Sequence, residues 1–186
     1  MLAPLGEFAT GLRRLPLQTD ADPYPWLPAT SRVVIPSLDI DAKIVTVGIT
    51  AQGFMDTPPF ATSRFFSSAH AGARGNLVLS AHNDIEGALF QRLPEIEYYE
   101  HIRVMRGPAV FTYQVSFQTK VWEEGAPPEV RQENVRFLLP TKNPVCTLIT
   151  CVPLWVDTHR WIVRAVLVDA QLPQVPMART TLFGSG

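Results

Sequence analysis

The chain has 186 residues, a length that fits one domain, or one domain with a tail, and that can bury a hydrophobic core without metal or disulfide support. Hydrophobic residues make up 46% and charged residues 18% of the chain, which is the composition of a globular protein and not of a disordered one. The formal net charge of −1 offers no basic face of the kind that nucleic acids require, so we exclude nucleic acid as a partner.

Apolar segments are short throughout the chain. None approaches the roughly 20 apolar residues that span a bilayer, and residues 1–15 lack the basic start and continuous apolar stretch of a signal peptide. We therefore expect either a protein that is soluble as made or a piece of a membrane protein from which the anchor is absent.

The pattern along the chain favours short strands. Residues 1–28 are rich in proline and small residues and show no hydrophobic period, which predicts a linker or a surface arm. The 17 prolines of the chain disfavour long helices and long central strands. Several short segments are β-branched or alternate between apolar and polar residues, and we predict strands at 31–40, 42–49, 76–82, 102–105, 109–122, 145–151 and 161–168.

Helical signals are few. Residues 87–96 place Leu89, Phe90 and Leu93 on one face, and residues 128–137 begin with a proline suited to a first helical turn. Many short strands with turns between them predict a mainly β fold, a closed or nearly closed barrel. We expect this barrel to occupy residues 29–172 and a C-terminal tail to occupy residues 173–186.

The two cysteines, Cys146 and Cys151, lie on one predicted strand at an odd separation. Side chains alternate between the faces of a strand, so we expect these thiols to point to opposite faces and to remain free. An unpaired thiol is a candidate for a reactive role. We predict that role for Cys151 and a core-filling role for Cys146.

Three residues suited to thiol chemistry fall at the ends of predicted strands. Cys151 ends its strand because Pro153 follows it, His82 ends its strand just before a turn signal, and Arg160 lies just before the last strand. A thiol nucleophile needs a residue that carries protons and a donor for the developing oxyanion. These residues predict a catalytic site at one mouth of the barrel.

The segments that contain Cys151 and Arg160 resemble signature motifs of the sortase family. Residues 147–151 read TLITC and are similar to the family's TLxTC, in which the last residue is the nucleophile. Residues 157–164 read DTHRWIVR and resemble the N-T-x-R segment that precedes the family's last strand and carries its active-site arginine.

Two upstream segments extend the resemblance. Residues 79–84 read LSAHND and, with the F-x-x-L that follows at residues 90–93, resemble the segment around the family's histidine, with Ala81 in place of the usual glycine. Residues 35–42 read IPSLDIDA and are similar to the family's first-strand motif. The resemblance runs from about residue 31 to residue 169.

The resemblance implies an eight-stranded β-barrel and a two-step transpeptidation. Cys151 would attack the threonine carbonyl of an LPxTG-like sorting signal, His82 would protonate the leaving amine, and an amine from peptidoglycan or from a pilin would resolve the acyl-enzyme. Arg160 would hold substrate or stabilise the oxyanion, a role that suits a permanently charged side chain with several donors. The implied partners are secreted proteins that carry a C-terminal sorting signal.

The same resemblance implies a location and leaves the class open. Sortases act at the outer face of the bacterial cell membrane, through an anchor that is absent from this chain. Arg164 is the alternative to Arg160, because one branch of the family uses an arginine at this longer spacing from Cys151. The short segment 152–159 favours Arg160 and is most similar to the classes of C, D or E type, although no class is assigned.

Three residues are candidates for substrate binding. Thr150 adjoins the thiol, and Leu138 and Leu139 lie in the segment 122–144, whose equivalent in sortases recognises the sorting signal; strand propensity and core packing explain these residues equally well. The segment Asp22-Pro23-Tyr24 resembles the lid of pilin-building sortases, or matches it by chance.

Cofactor chemistry has no support in the sequence. The histidines and cysteines lack the spacing of a metal site, and no glycine-rich phosphate loop is present, so we expect neither metal nor cofactor. Besides cell-wall anchoring, three functions stay open: pilin polymerisation, peptide hydrolysis by the same residues with water as the acceptor, and a barrel in which Cys151 is inert.

Overall fold

The structure is a computed structural model that describes residues 22–29, 31–48 and 57–174. Eight strands close into a barrel in the order β1-β2-β3-β4-β7-β8-β6-β5. The strands are β1 (Ser31–Ile35), β2 (Ile40–Val47), β3 (Thr62–Phe65), β4 (Asn76–Ser80), β5 (His101–Arg106), β6 (Ala109–Trp122), β7 (Val145–Val152) and β8 (His159–Gln171). The predicted mainly β, eight-stranded barrel is confirmed.

Helices are minor elements of this fold. The single α-helix of the described part, α1 (Pro128–Asn134), continues into a 3-10 turn at Val135–Phe137, within the segment predicted to be helical. Two further 3-10 turns lie at Pro36–Leu38 and Leu93–Glu95. No helix in the described ranges is long and apolar enough to cross a membrane.

Two parallel strand pairs organise the barrel. β2 pairs with β3 and β4 pairs with β7 in parallel, whereas the other neighbours are antiparallel. The carboxyl ends of two parallel strands meet at the same edge of a sheet. The residues that follow β4 therefore lie beside the last residues of β7, although about seventy positions of sequence separate them.

β7 is buried on both faces, as is usual where a parallel pair is covered on each side. One face, with Cys146 and Leu148, contributes to the cluster that fills the barrel. The other face contributes Ile149 to a second cluster on the outside of the barrel wall. This outer cluster consists of Phe65, Val78, Phe137, Leu138, Ile149 and Ile162. The segment after α1 therefore acts as a cover over the outer faces of β4, β7 and β8.

Three sequence predictions need correction. The strand predicted at 31–40 ends at Ile35, because Pro36 begins the 3-10 turn at Pro36–Leu38. β3 was not predicted, because its sequence Thr-Ser-Arg-Phe is mostly polar; all four residues are nevertheless buried. Residues 87–96 do not form the predicted helix and contain only the 3-10 turn at Leu93–Glu95. Glu86, Gly87 and Ala88 all have positive φ, and such backbone cannot begin a right-handed helix.

The segment 22–29, called here the N-terminal strap, crosses the end of the barrel where β5 finishes. Leu27 belongs to the inner cluster, and the Tyr24 ring lies 5.3 Å from the Phe111 ring between centroids. Both carboxylate oxygens of Asp22 accept hydrogen bonds from Arg106, at 2.9 and 2.8 Å. The segment that resembles a lid therefore lies at the opposite end of the barrel from Cys151.

Candidate active site

The pairing of β7 with β8 places Arg160 directly opposite Cys151. Cys151 lies two residues after Ile149, and Arg160 lies two residues before Ile162, and both isoleucines belong to the outer cluster. Because side chains alternate along a strand, Cys151 and Arg160 share this outer face. The site therefore lies at the edge of the barrel wall, with the outer cluster as its apolar continuation.

The parallel pairing of β4 with β7 brings His82 to the same edge. Ser80 pairs with Ile149, so His82, two residues further on, lies beside Cys151. Two hydrogen bonds hold this arrangement. The Thr150 hydroxyl donates to the Ala81 carbonyl at 3.0 Å, and the Asn83 amide donates to the Cys151 carbonyl at 2.7 Å.

Asn83 was missed as a functional candidate, since the sequence presents it only as a turn residue after His82. Asn83 is 3% exposed, and its bond to the Cys151 carbonyl joins the segments that carry Cys151 and His82. Glu86 was also missed: its Oε2 lies 3.3 Å from the His82 Nε2. A His followed by Glu four positions later was the available signal.

The environment of Cys151 favours a neutral thiol. Burial raises its pKa to about 11, and the Arg160 charge opposes this shift, whereas the carboxylates of Asp157, Asp84 and Glu124 add to it. At neutral pH the resting thiol is therefore protonated. Formation of the thiolate requires a proton acceptor in the site. Two imidazoles lie at this edge: His82, which follows β4, and His159, which pairs with Val152 and has its Nδ1 2.9 Å from the Thr158 hydroxyl.

Arg160 is held by its own loop and has a donor to spare. The side chain is 1% exposed, and Nη1 donates to the carbonyls of Asp157, at 2.6 Å, and of His159, at 3.0 Å. Its Nε is buried and has no hydrogen-bond partner among the described residues. An arginine held by backbone carbonyls, with no carboxylate bonded to it, keeps its charge available for an anionic or carbonyl group of a ligand.

Arg164, the alternative arginine, has a different environment. It pairs with Thr147, away from the strand end, and donates to the Thr147 hydroxyl at 3.3 Å and to the Phe137 carbonyl at 3.0 Å. Its guanidinium also lies over the Phe137 ring at 5.8 Å. Arg164 thus attaches the cover to β8, and the geometry favours Arg160 as the arginine of the site.

The substrate-binding candidates differ in what they contact. Thr150 is 1% exposed, and its hydroxyl donates a hydrogen bond to the Ala81 carbonyl. Leu138 is buried in the outer cluster, whereas Leu139 is 36% exposed. Leu139 therefore has the free apolar surface. No group of three or more His, Cys, Asp or Glu side chains in the described ranges is arranged to hold a metal ion.

Comparisons with known proteins agree with the fold and identify a family. A family model described as the sortase domain matches residues 33–168. No curated protein sequence matches the chain. Among solved structures, a lid mutant of sortase A from Corynebacterium diphtheriae is similar, with 24% identity, coverage of 88% of this chain and 89% of that one, and a TM-score of 0.64.

Solved sortases of other classes are similar to nearly the same degree. Sortase C1 from Streptococcus agalactiae has 24% identity and a TM-score of 0.60, with coverage of 75% of this chain and 67% of that one. The sortase D5 transpeptidase from Clostridium perfringens has 16% identity and a TM-score of 0.60, with 88% of each chain covered. Since the family model spans most of the chain, this protein belongs to the sortase family of cysteine transpeptidases.

Proposed function

We propose that this sortase cleaves an LPxTG-like sorting signal after its threonine, holds the product as an acyl-enzyme on Cys151, and transfers it to an amine. The observation that carries the proposal is the pairing of Cys151 with Arg160, at the edge where His82 follows β4. The outer cluster and the exposed Leu139 offer apolar surface beside this edge for the apolar part of a signal.

The first half of the reaction forms the acyl-enzyme. The Cys151 proton passes to His82, and the resulting thiolate attacks the threonine carbonyl carbon. Arg160 donates hydrogen bonds to the oxygen that becomes negative. The bond to the next residue breaks as the imidazolium returns its proton to the leaving amine, so that a thioester remains on Cys151 and His82 is neutral.

The second half transfers the acyl group. The nitrogen of an amine attacks the thioester carbonyl, His82 accepts its proton, and Arg160 again stabilises the oxyanion. The C–S bond then breaks and the sulfur recovers its proton from His82. The product is a new amide, and the resting neutral thiol is restored, in agreement with its raised pKa.

The finer assignments belong to the same proposal. The acceptor would be an amine of the peptidoglycan, with a pilin lysine as the alternative, and the donors would be secreted proteins at the outer face of a bacterial membrane. Residues 29–172 would form the catalytic domain, with residues 1–28 as an arm and residues 173–186 as a tail. The strand bounds, from Ser31 to Gln171, support this division.

A peptide-cleavage assay read by mass spectrometry tests the proposal. LPxTG-, LAxTG- and LPxTA-type peptides are each incubated with a glycine or lysine amine, using the wild type, Cys151→Ala and the matched control Cys146→Ala. We expect an amine-joined product from the wild type and from Cys146→Ala, and none from Cys151→Ala.

Other outcomes separate the alternatives. Free acid as the main product in the presence of added amines would favour a hydrolase that uses the same residues. Turnover by Cys151→Ala would contradict the assigned nucleophile. Cleavage that depends on Cys151, with transfer only to lysine amines, would favour the pilin-polymerising function over cell-wall anchoring.

A further inference from the structure

A second polar site lies at the strap end of the barrel, far from Cys151. A cavity of about 240 Å³ opens beneath the N-terminal strap. Its polar lining includes Asp22, Thr46, Arg64, His70 and Arg106. Neither the thiol chemistry nor the outer cluster uses any of these side chains.

Arg106 is the arginine of this cavity whose charge is paired with a carboxylate. It donates to both carboxylate oxygens of Asp22, and its Nε lies 3.4 Å from the Pro28 carbonyl. Asp22 also accepts a hydrogen bond from the Tyr24 amide at 3.0 Å. The one carboxylate in the lining is therefore largely occupied by Arg106 and by the strap itself.

Arg64 is the arginine without a carboxylate bonded to it. It is 9% exposed and donates only to neutral groups: the Ala69 and Ser68 carbonyls, at 3.2 and 2.5 Å, and the Thr46 hydroxyl, at 3.4 Å. Three bonds leave two of its five N–H groups for another partner. A buried cation without a counter-charge is costly, and an anion in the cavity would relieve that cost.

Charges near the cavity add up to an excess of positive charge. The two guanidinium groups face one carboxylate, and His70 adds a further donor, its Nδ1 3.7 Å from an Asp22 oxygen. Burial lowers the pKa of Arg64, and the Arg106 charge lowers it further. Burial likewise lowers the pKa of His70, assisted by the Arg64 charge. An anion bound in the cavity would offset the repulsion among these groups.

We propose that this cavity is a binding site for a small oxyanion of the phosphate type, with the free N–H groups of Arg64 and the His70 ring as its principal donors and the Thr46 hydroxyl at its wall. Arginine recognises phosphate oxygens with charge-assisted hydrogen bonds. The cavity has room for such an ion, and the phosphate could be free in solution or part of a lipid headgroup.

Thermal unfolding with inorganic phosphate tests the site, with sodium chloride used to match the ionic strength. For a Kd on the order of 1 mM, phosphate at about 20 mM should raise the Tm of the wild type by about 4 °C relative to chloride. Arg64→Met should abolish this rise. Arg103→Met, which removes an exposed arginine of β5, should leave it unchanged.

Asp22→Asn provides a test of opposite sign. It frees the donors of Arg106 for the anion, so phosphate should raise the Tm of this variant by more than it raises that of the wild type. A variant that merely folds poorly would not gain affinity. An equal rise in the wild type and in Arg64→Met overturns the proposal.

Vesicle binding distinguishes the two sources of phosphate. Co-sedimentation with phosphatidylglycerol vesicles but not with phosphatidylcholine vesicles, lost in Arg64→Met and kept in Arg103→Met, would assign a lipid headgroup. A phosphate-dependent Tm rise without such sedimentation would assign a free phosphate. Absence of both effects would overturn the site without bearing on the transpeptidase proposal, since the cavity lies at the other end of the barrel.

Discussion

Both ends of the barrel bury arginines, and Arg106 and Arg160 are satisfied differently. Arg106, at the strap end, is 5% exposed and forms a two-pronged ion pair with Asp22. Arg160, at the Cys151 end, is 1% exposed and is bonded only to backbone carbonyls, and its Nε has no partner in the described part of the chain.

The difference favours Arg160, rather than Arg106, as the arginine that is available to a ligand. Burial of a charge costs several kcal/mol unless a counter-charge and hydrogen bonds compensate it. Arg106 has this compensation, and its ion pair with Asp22 attaches the N-terminal strap to the barrel. Arg160 lacks a bonded carboxylate, and an arginine in that condition is expected where a ligand supplies the missing partner. Incomplete satisfaction, more than burial, separates Arg160 from Arg106.

The largest predicted effect comes from exchanging each arginine for glutamine. Arg160→Gln should lower kcat/KM by about 10²–10³-fold, because the oxyanion loses a charged donor, and should change the Tm little. Arg106→Gln should lower the free energy of unfolding by about 3 kcal/mol, because Asp22 is left without its partner, and should leave kcat of the folded enzyme unchanged. Urea unfolding and steady-state kinetics on both variants test whether Arg160→Gln loses mainly activity and Arg106→Gln loses mainly stability. A loss of stability without a kinetic loss in Arg160→Gln would reverse the assignment.

The two cysteines of β7 extend the comparison to thiol reactivity. Because burial raises the pKa of Cys151 to about 11, its alkylation by iodoacetamide should accelerate about tenfold per pH unit between pH 7 and 10. Arg160→Gln should slow alkylation at each pH, since the Arg160 charge favours the thiolate. Cys146 is fully buried, and burial raises its pKa, so it should stay unmodified in the native protein. Mass spectrometry after timed quenching measures both sites; a rate plateau below pH 8 would contradict the neutral resting thiol.

Local sequence patterns predicted the elements that carry the candidate site, because strand alternation and strand-ending residues are local properties. The bounds predicted for β6 agree with the structure, and β7 extends one residue beyond its prediction. The short, mostly polar β3 escaped prediction, since only its neighbours β2 and β4 explain its burial. The outer cluster was not predicted either, because it depends on how the cover packs against the barrel wall.

The roles proposed for Cys151, His82 and Arg160 came from motif resemblance together with their positions at strand ends. Their common edge follows from the parallel pairing of β4 with β7, and no local pattern contains that register. Asn83 and Glu86 illustrate the limit. Asn83 is an ordinary turn residue in sequence, and its contact with Cys151 exists only once the strands are paired. The contact of Glu86 with His82 is local, four positions apart, but the sequence does not show that it lies beside Cys151.

A smaller effect is expected from Asn83, which attaches the His82 segment to the Cys151 carbonyl. Asn83→Ala removes that hydrogen bond, worth about 1 kcal/mol, and loosens the alignment of the imidazole with the thiol. We expect kcat to fall about tenfold with little change in KM for the peptide. Asn143→Ala, at the other end of β7, is the matched control and should retain full activity. Equal losses in both variants would mean that Asn83 acts through stability alone.

The smallest effect concerns the strap end and its dependence on pH. Burial by itself would raise the pKa of Asp22, but hydrogen bonds from Arg106 and from the Tyr24 amide outweigh it, so the folded-state pKa lies below the ordinary value of 3.8. A carboxyl with a lowered pKa stabilises the fold above its unfolded pKa, and this stability is lost as the pH falls through the folded pKa. Asp22→Asn should therefore unfold more easily than the wild type, by about 1–2 kcal/mol at pH 7.

That gap in unfolding free energy should persist down to about pH 4 and close at lower pH, because the wild-type carboxyl then becomes protonated and resembles the amide. Urea unfolding of both proteins between pH 7 and pH 2.5 measures the gap. Asp41→Asn is the control, since the ion pair of Asp41 with Arg32 is exposed and surface pairs contribute little. A gap that stays constant with pH would mean that packing of Tyr24 and Leu27 holds the strap. The contrast between Arg106, which is paired with a carboxylate, and Arg160, which is not, would then lose its energetic basis.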